Sequence, residues 1–223
     1  MRKNIPAIFF VIASLVNWAG KYFGISEMAA ATKPALMPLL ALSVLAYAVS
    51  RRLDKRKLAL LVSAELFGCV GDVCLLFDGL PPFAGGIVAF LIGHILYLSL
   101  FGRAAWEDMG GKSWLGGVLV MGGVVYGLVR LLGISGQLLI PMVVYAFVLI
   151  TLVFCTFCGL VRNRNKGTWG LLFVGALLFA VSDSILAAGT FGMHFPHQEF
   201  VVMFTYVTAQ AFLAMGSVRL AKV

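Results

Sequence analysis

The chain has 223 residues, of which 61% are hydrophobic and only 12% charged, and its mean hydropathy is +1.02. A soluble domain of this length has too little polar surface to cover so much apolar side chain, which excludes the soluble globular classes. The formal net charge of +8 would suit a nucleic-acid partner, but the basic residues sit between apolar runs and not on a common face, so no nucleic acid is expected.

A helix that crosses a bilayer needs about 20 apolar residues. Eight such runs follow one another: 5–23, 34–50, 58–77, 83–101, 114–132, 138–161, 169–189 and 199–218. The first follows Arg2 and Lys3 like a signal peptide, but it lacks a small-residue cleavage site, and Asn17 and Trp18 interrupt its end, so it reads as a retained helix. The second is short, contains Pro38, and is expected to start at Pro34 with Lys33 just outside it. The third carries Glu65 and Asp72, the fourth His94 and Tyr97. The fifth holds the pairs Gly116–Gly117 and Gly122–Gly123, expected where helices approach closely. The sixth contains Cys155 and Cys158, read as small packing residues, and the seventh carries Asp183 between Ser182 and Ser184. Asn17, Tyr206, Thr208 and Gln210 add hydrogen-bonding groups. The connections are short and contain the usual breakers, so residues 1–223 form a single integral membrane domain.

With the N-terminus inside, fourteen of the 17 basic residues fall on one side: Arg2, Lys3, Arg51, Arg52, Lys55, Arg56, Lys57, Arg103, Lys112, Arg162, Arg164, Lys166, Arg219 and Lys222. The other side keeps Lys21, Lys33 and Arg130. The positive-inside rule then gives an all-α bundle of eight transmembrane helices with both termini cytoplasmic, in a bacterial inner membrane.

Two acids stand out against this background. Asp72 and Asp183 each lie 14 residues into their helices, roughly 20 Å of rise, which puts both in the outer half of the bilayer. Aspartate at a helix centre costs about 2.5–3.5 kcal/mol on insertion scales, so both are expected to serve a function. His94 and Tyr97 share a helix face deeper in, and Glu65 lies deeper still. No GxSxG elbow, HExxH, Walker loop or dinucleotide fingerprint occurs. His194 and His197 flank a proline in an outer loop without a third ligand, so no metal is expected there.

Four segments resemble the YhhN-like lysoplasmalogenase family in order and spacing across roughly 32–190: Thr32–Leu40, Glu65-Leu66-Phe67 with Gly71–Leu76, Phe90 through Tyr97, and Phe179 through Ala187. The resemblance implies an integral membrane hydrolase that cleaves the vinyl ether of a lysoplasmalogen to a fatty aldehyde and glycerophosphoethanolamine or glycerophosphocholine. A vinyl ether is stable to base and labile to acid. Protonation of carbon gives an oxocarbenium ion, water adds, and the hemiacetal collapses. An aspartate pair sharing one proton supplies an acid and an anion, so Asp72 and Asp183 are the expected catalytic residues, in roles the sequence leaves open. Lys33 is expected to bind the phosphate at the headgroup level, His94 and Tyr97 to orient water or the hemiacetal, and Glu65 and Ser182 to join them around the substrate. No metal or organic cofactor is required. The expected partners are a lysophospholipid and the bilayer, and the oligomeric state is open. The main rival is a proton-coupled transporter or channel that uses the same acids as a relay. A non-catalytic lipid-binding protein is the other.

Overall fold

The computed structural model describes residues 4–49, 51, 53–106, 111–163 and 165–221, and for 111–114 the backbone alone. Arg2, Lys3, Arg52, Arg164, Lys222 and the side chain of Lys112, all assigned above to the inner side, lie outside the described residues. Among the described residues there are eight α-helices and no sheet: α1 (Ile5–Phe23), α2 (Ser26–Ala48), α3 (Lys55–Cys74), α4 (Leu80–Trp106), α5 (Gly111–Leu131), α6 (Leu139–Arg162), α7 (Lys166–Thr190) and α8 (Gln198–Leu220). Six are long and apolar enough to cross a membrane. The other two are α3, which carries Lys55–Lys57, Glu65 and Asp72, and α5, whose apolar stretch is Leu115–Leu131. The chain is an integral, multi-pass membrane protein.

Seven helices close a ring in the order α1, α2, α3, α4, α6, α7, α8 and back to α1. From that ring α8 leans inward onto α2, α3 and α4. Its buried positions include Met203, Tyr206, Gln210 and Leu213. Helix α5 packs on α6, outside the ring.

The largest departure from the sequence reading is at α2. It starts at Ser26, so Lys33 lies two turns inside the helix instead of before it, and Pro34 and Pro38 are both interior. The tight α1–α2 hairpin explains the early start. Gly24 turns the chain at φ 73, and Asn17 Nδ2 donates to the Ala29 carbonyl at 2.9 Å. Gly20 allows this approach, since a Cβ there would stand 3.0 Å from the Ala29 nitrogen. Pro38 has no N–H for the carbonyl of Pro34, and the Cys69 thiol of α3 donates to that carbonyl instead, at 3.4 Å.

Two of the basic residues assigned above to the inner side also cap helices. Lys57 Nζ donates to the Leu220 carbonyl at the end of α8, and Lys166 Nζ to the carbonyls of Leu160 and Val161 at the end of α6. A cation at a helix C-terminus satisfies orphan carbonyls and complements the dipole.

The glycines divide. A Cβ on Gly175 of α7 would stand 3.0 Å from the Leu213 nitrogen of α8, so this crossing is backbone against backbone. On α5 the expectation of close packing fails: Gly117 meets Phe154, but Gly116, Gly122 and Gly123 face open space.

Candidate active site

Asp72, on α3, is 1% exposed. Its two oxygens are engaged separately. Oδ2 accepts from the Tyr206 hydroxyl of α8 at 2.9 Å, and Oδ1 lies 3.8 Å from Lys33 Nζ of α2. The sequence reading placed Lys33 at headgroup level, remote from the acids. The structure corrects this, because a lysine two turns into α2 has its ammonium group beside the α3 carboxyl. Its side chain retains 13% exposure and lines a vestibule of about 1300 Å³.

The walls of the vestibule are part apolar, with Phe77, Leu80 and Phe195 among them, and part polar. Lys21, Asp78, His194, His197, Gln198 and Glu199 line it with Lys33. Lys21 Nζ bonds Glu199 Oε2 at 2.6 Å, and the His197 ring stacks on Tyr22 at 4.7 Å.

Asp183 of α7 occupies a different setting. It lines a smaller cavity of about 70 Å³ walled by Phe83, Ile87, Phe90, Met142, Leu149 and Ala187, among other apolar residues. The Tyr145 hydroxyl of α6 donates to Asp183 Oδ2. Asp183 borders the chamber, Asp72 lines neither space and meets the vestibule only through Lys33, and the two spaces share Leu75, Phe83 and Leu186 as lining residues. The acids thus differ in company: Asp72 has a cation and a phenol, and Asp183 a phenol in an apolar chamber.

Glu65, His94 and Tyr97, expected to line the cavity of the aspartates or its floor, line neither space. They are buried instead. Glu65 is 0% exposed, Tyr97 and His94 1%. The Tyr97 hydroxyl lies 2.8 Å from Glu65 Oε1 and 3.0 Å from Gln210 Oε1. Gln210 Nε2 is 3.5 Å from the Tyr206 hydroxyl, which completes a polar string from Lys33 through Asp72, Tyr206, Gln210 and Tyr97 to Glu65. Gly68 gives this string its room, since a Cβ there would stand 3.1 Å from Gln210 Nε2 and 3.4 Å from the Tyr206 oxygen. His94 packs edge-on against Phe179 at 4.5 Å and near Tyr145 at 5.5 Å, and neither ring nitrogen has a hydrogen-bond partner among the described residues.

Ser182 lines neither the vestibule nor the chamber. Its hydroxyl donates to the Val202 carbonyl of α8 at 3.0 Å and ties α7 to α8. Its position one residue before Asp183 turns it about 100° around the helix, away from the cavity. Tyr145 was not singled out from the sequence, and Tyr206 and Gln210 were noted only as hydrogen-bonding groups. The available signal was a phenol or amide within an apolar run, which needs a buried partner.

Comparison with known proteins follows the same residues. The YhhN family model matches residues 28–217. Among curated proteins, the chain is similar to lysoplasmalogenase TMEM86B of Homo sapiens (31% identical over 160 residues, 72% of this chain) and of Sus scrofa (34% over 158 residues, 71% of this chain). It is also similar to lysoplasmalogenase TMEM86A of Bos taurus, 27% identical over 156 residues, 69% of this chain. It spans 64% and 63% of the lengths of the two TMEM86B proteins and 63% of the TMEM86A protein. No solved structure matches it. With the match extending from α2 to α8 and taking in both aspartates, the chain belongs to the YhhN family.

Proposed function

We propose that this protein is a membrane-embedded hydrolase of lysoplasmalogens, in which Asp183 is the general acid and Asp72 the anion. The observation that carries this reading is the unequal company of the two buried carboxyls. Asp72 has Lys33 and the Tyr206 donor, both of which favour a carboxylate. Asp183 sits in an apolar chamber with one phenol and no cation beside it among the described residues, which favours a carboxylic acid. The names of the TMEM86 relatives support the substrate class.

The protons balance around the cycle. Asp183 donates to the vinyl carbon remote from oxygen, and the oxocarbenium ion forms beside the Asp72 carboxylate. Asp72 takes a proton as water adds to the cation. It returns that proton to the ether oxygen as the hemiacetal C–O bond breaks, and the hemiacetal hydroxyl gives its proton to Asp183. The aldehyde and the glycerophospho-alcohol leave, and both carboxyls are restored. Carboxyls supply all these steps, so the proposed mechanism is metal-independent. The vestibule offers Lys21 and Lys33 to the phosphate, and the apolar chamber beside Asp183 receives the start of the hydrocarbon chain. The single-domain organisation and a bacterial plasma-membrane location with both termini cytoplasmic complete the proposal, supported by the asymmetry of basic residues.

The test is aldehyde release from a lysoplasmalogen by the detergent-solubilised protein, wild type against Asp72→Asn and Asp183→Asn. Wild-type turnover lost in both variants is expected. Turnover of a lysophospholipid lacking the vinyl ether, or none of the lysoplasmalogen, overturns the assignment.

A further inference from the structure

Tyr97 has one proton to give and two oxygens within reach, Glu65 Oε1 at 2.8 Å and Gln210 Oε1 at 3.0 Å. Both contacts are hydrogen bonds only if one of the two partners is itself a donor. Glu65 can be that donor, as a carboxylic acid. The donors then run in one direction: Glu65 to Tyr97, Tyr97 to the Gln210 carbonyl, the Gln210 amide to Tyr206, and Tyr206 to Asp72. With the opposite orientation of the Gln210 amide, its carbonyl would face Tyr206 at 3.5 Å and either go without the Tyr206 proton or take it from Asp72, which would then have to carry one of its own. Lys33, 3.8 Å from Asp72, opposes that arrangement.

The surroundings of Glu65 agree. It is fully buried, and its Oε2 has no hydrogen-bond partner among the described residues. A bare oxygen costs a neutral acid much less than it costs a carboxylate in the same place. The mechanism above does not use Glu65, and it lines neither the vestibule nor the chamber.

We propose that Glu65 is a positioning residue. It is held as the neutral acid, and through Tyr97 and Gln210 it aims the Tyr206 hydroxyl at Asp72 and so keeps Asp72 the anion of the site. This rests on the reading of Asp72 as the anion of a lysoplasmalogen hydrolase. It also sets the order of the string, with Glu65 as the proton source at one end and Asp72 as the anion at the other.

Glu65→Gln provides the test. A glutamine amide donates to Tyr97 as the neutral acid does but cannot ionise. Expected is turnover of lysoplasmalogen within about threefold of wild type, whereas Glu65→Leu, which ends the string at Tyr97, lowers kcat by about tenfold, the equivalent of one hydrogen bond, with KM unchanged. Loss of turnover in Glu65→Gln comparable to that in Asp72→Asn overturns the proposal, and so does full activity in Glu65→Leu. Infrared difference spectra of the solubilised protein without substrate decide the same point separately. Wild type minus Glu65→Gln should show the carbonyl stretch of a protonated, unsolvated carboxyl. A carboxylate stretch there overturns the proposal. Absence of any wild-type turnover would remove the proposed activity, yet the infrared result would still fix the state of Glu65 if Glu65→Leu failed to fold.

Discussion

Lys33 Nζ lies 3.8 Å from Asp72 Oδ1, with the lysine side chain 13% exposed and the aspartate 2%. The pair joins the vestibule to the buried acid. In the proposed mechanism this one cation would serve both the phosphate of an incoming lipid and the Asp72 carboxylate. Replacing it by Lys33→Met keeps the stem and leaves Asp72 uncompensated. Breaking a buried pair from one side costs about 3–5 kcal/mol, part of it in the fold. We expect kcat to fall along with any rise in KM, because an uncompensated Asp72 takes up a proton and ceases to be an anion. A rise in KM at constant kcat would reduce Lys33 to a headgroup contact.

Asp72→Asn and Asp183→Asn should each reduce turnover by about 10²–10⁴-fold, the usual contribution of a general acid or base. Their side effects should differ. The amide introduced by Asp72→Asn would still accept from Tyr206 but would not balance Lys33. The amide introduced by Asp183→Asn would still accept from Tyr145, without any cation left over. Asp72→Asn should therefore lower thermal stability more than Asp183→Asn, as measured by the melting temperature in detergent. Equal melting temperatures would count against a charged Asp72.

Ser182→Ala should leave kcat and KM at wild-type values. The hydroxyl bonds the Val202 carbonyl and Ser182 lines neither the vestibule nor the chamber, so the expected effect is a loss of about 0.5–1.5 kcal/mol of stability. A fall in kcat without a change in melting temperature would return Ser182 to the site.

Gly68→Ala and Gly175→Ala separate site geometry from packing. A Cβ at Gly68 meets the Gln210 amide at 3.1 Å and should perturb the polar string, with kcat falling more than stability. A Cβ at Gly175 meets backbone of α8 at 3.0 Å and should cost about 1–3 kcal/mol of stability, as overpacking does. The same loss of melting temperature in both variants would show that Gly68 is only a crossing point.

A reporter fused after Val223 should read as cytoplasmic, from the fourteen-to-three division of the basic residues. A periplasmic signal would invert the vestibule to the cytoplasmic side and with it the side of substrate arrival.

The helices were legible because lipid demands long apolar runs. The expected 5–23 coincides with α1, and 199–218 lies within α8 (Gln198–Leu220). The early start of α2 was not legible, since Pro34 reads as a first-turn residue while a membrane helix tolerates it inside. Asp72 and Asp183 declared themselves by their cost. Their partners did not, because Tyr145 and Tyr206 meet them only through the rotation of α6 and α8, which one sequence does not specify. The α5 glycines show the same limit: small residues permit an approach, but Gly122 and Gly123 have no helix to approach.

The place of α8 has a consequence for biogenesis. Tyr206 and Gln210, two links of the polar string, come from the helix that follows all the others in sequence and packs on α2, α3, α4 and α7. During synthesis Asp72 enters the membrane soon after Lys33, so its charge has a partner from the outset. Its phenol arrives only when the ring closes. A chain still on the ribosome, or cut before α8, holds both aspartates without the arrangement that sets them against each other. In the proposed mechanism, acid chemistry would begin only once α8 has brought Tyr206 to Asp72.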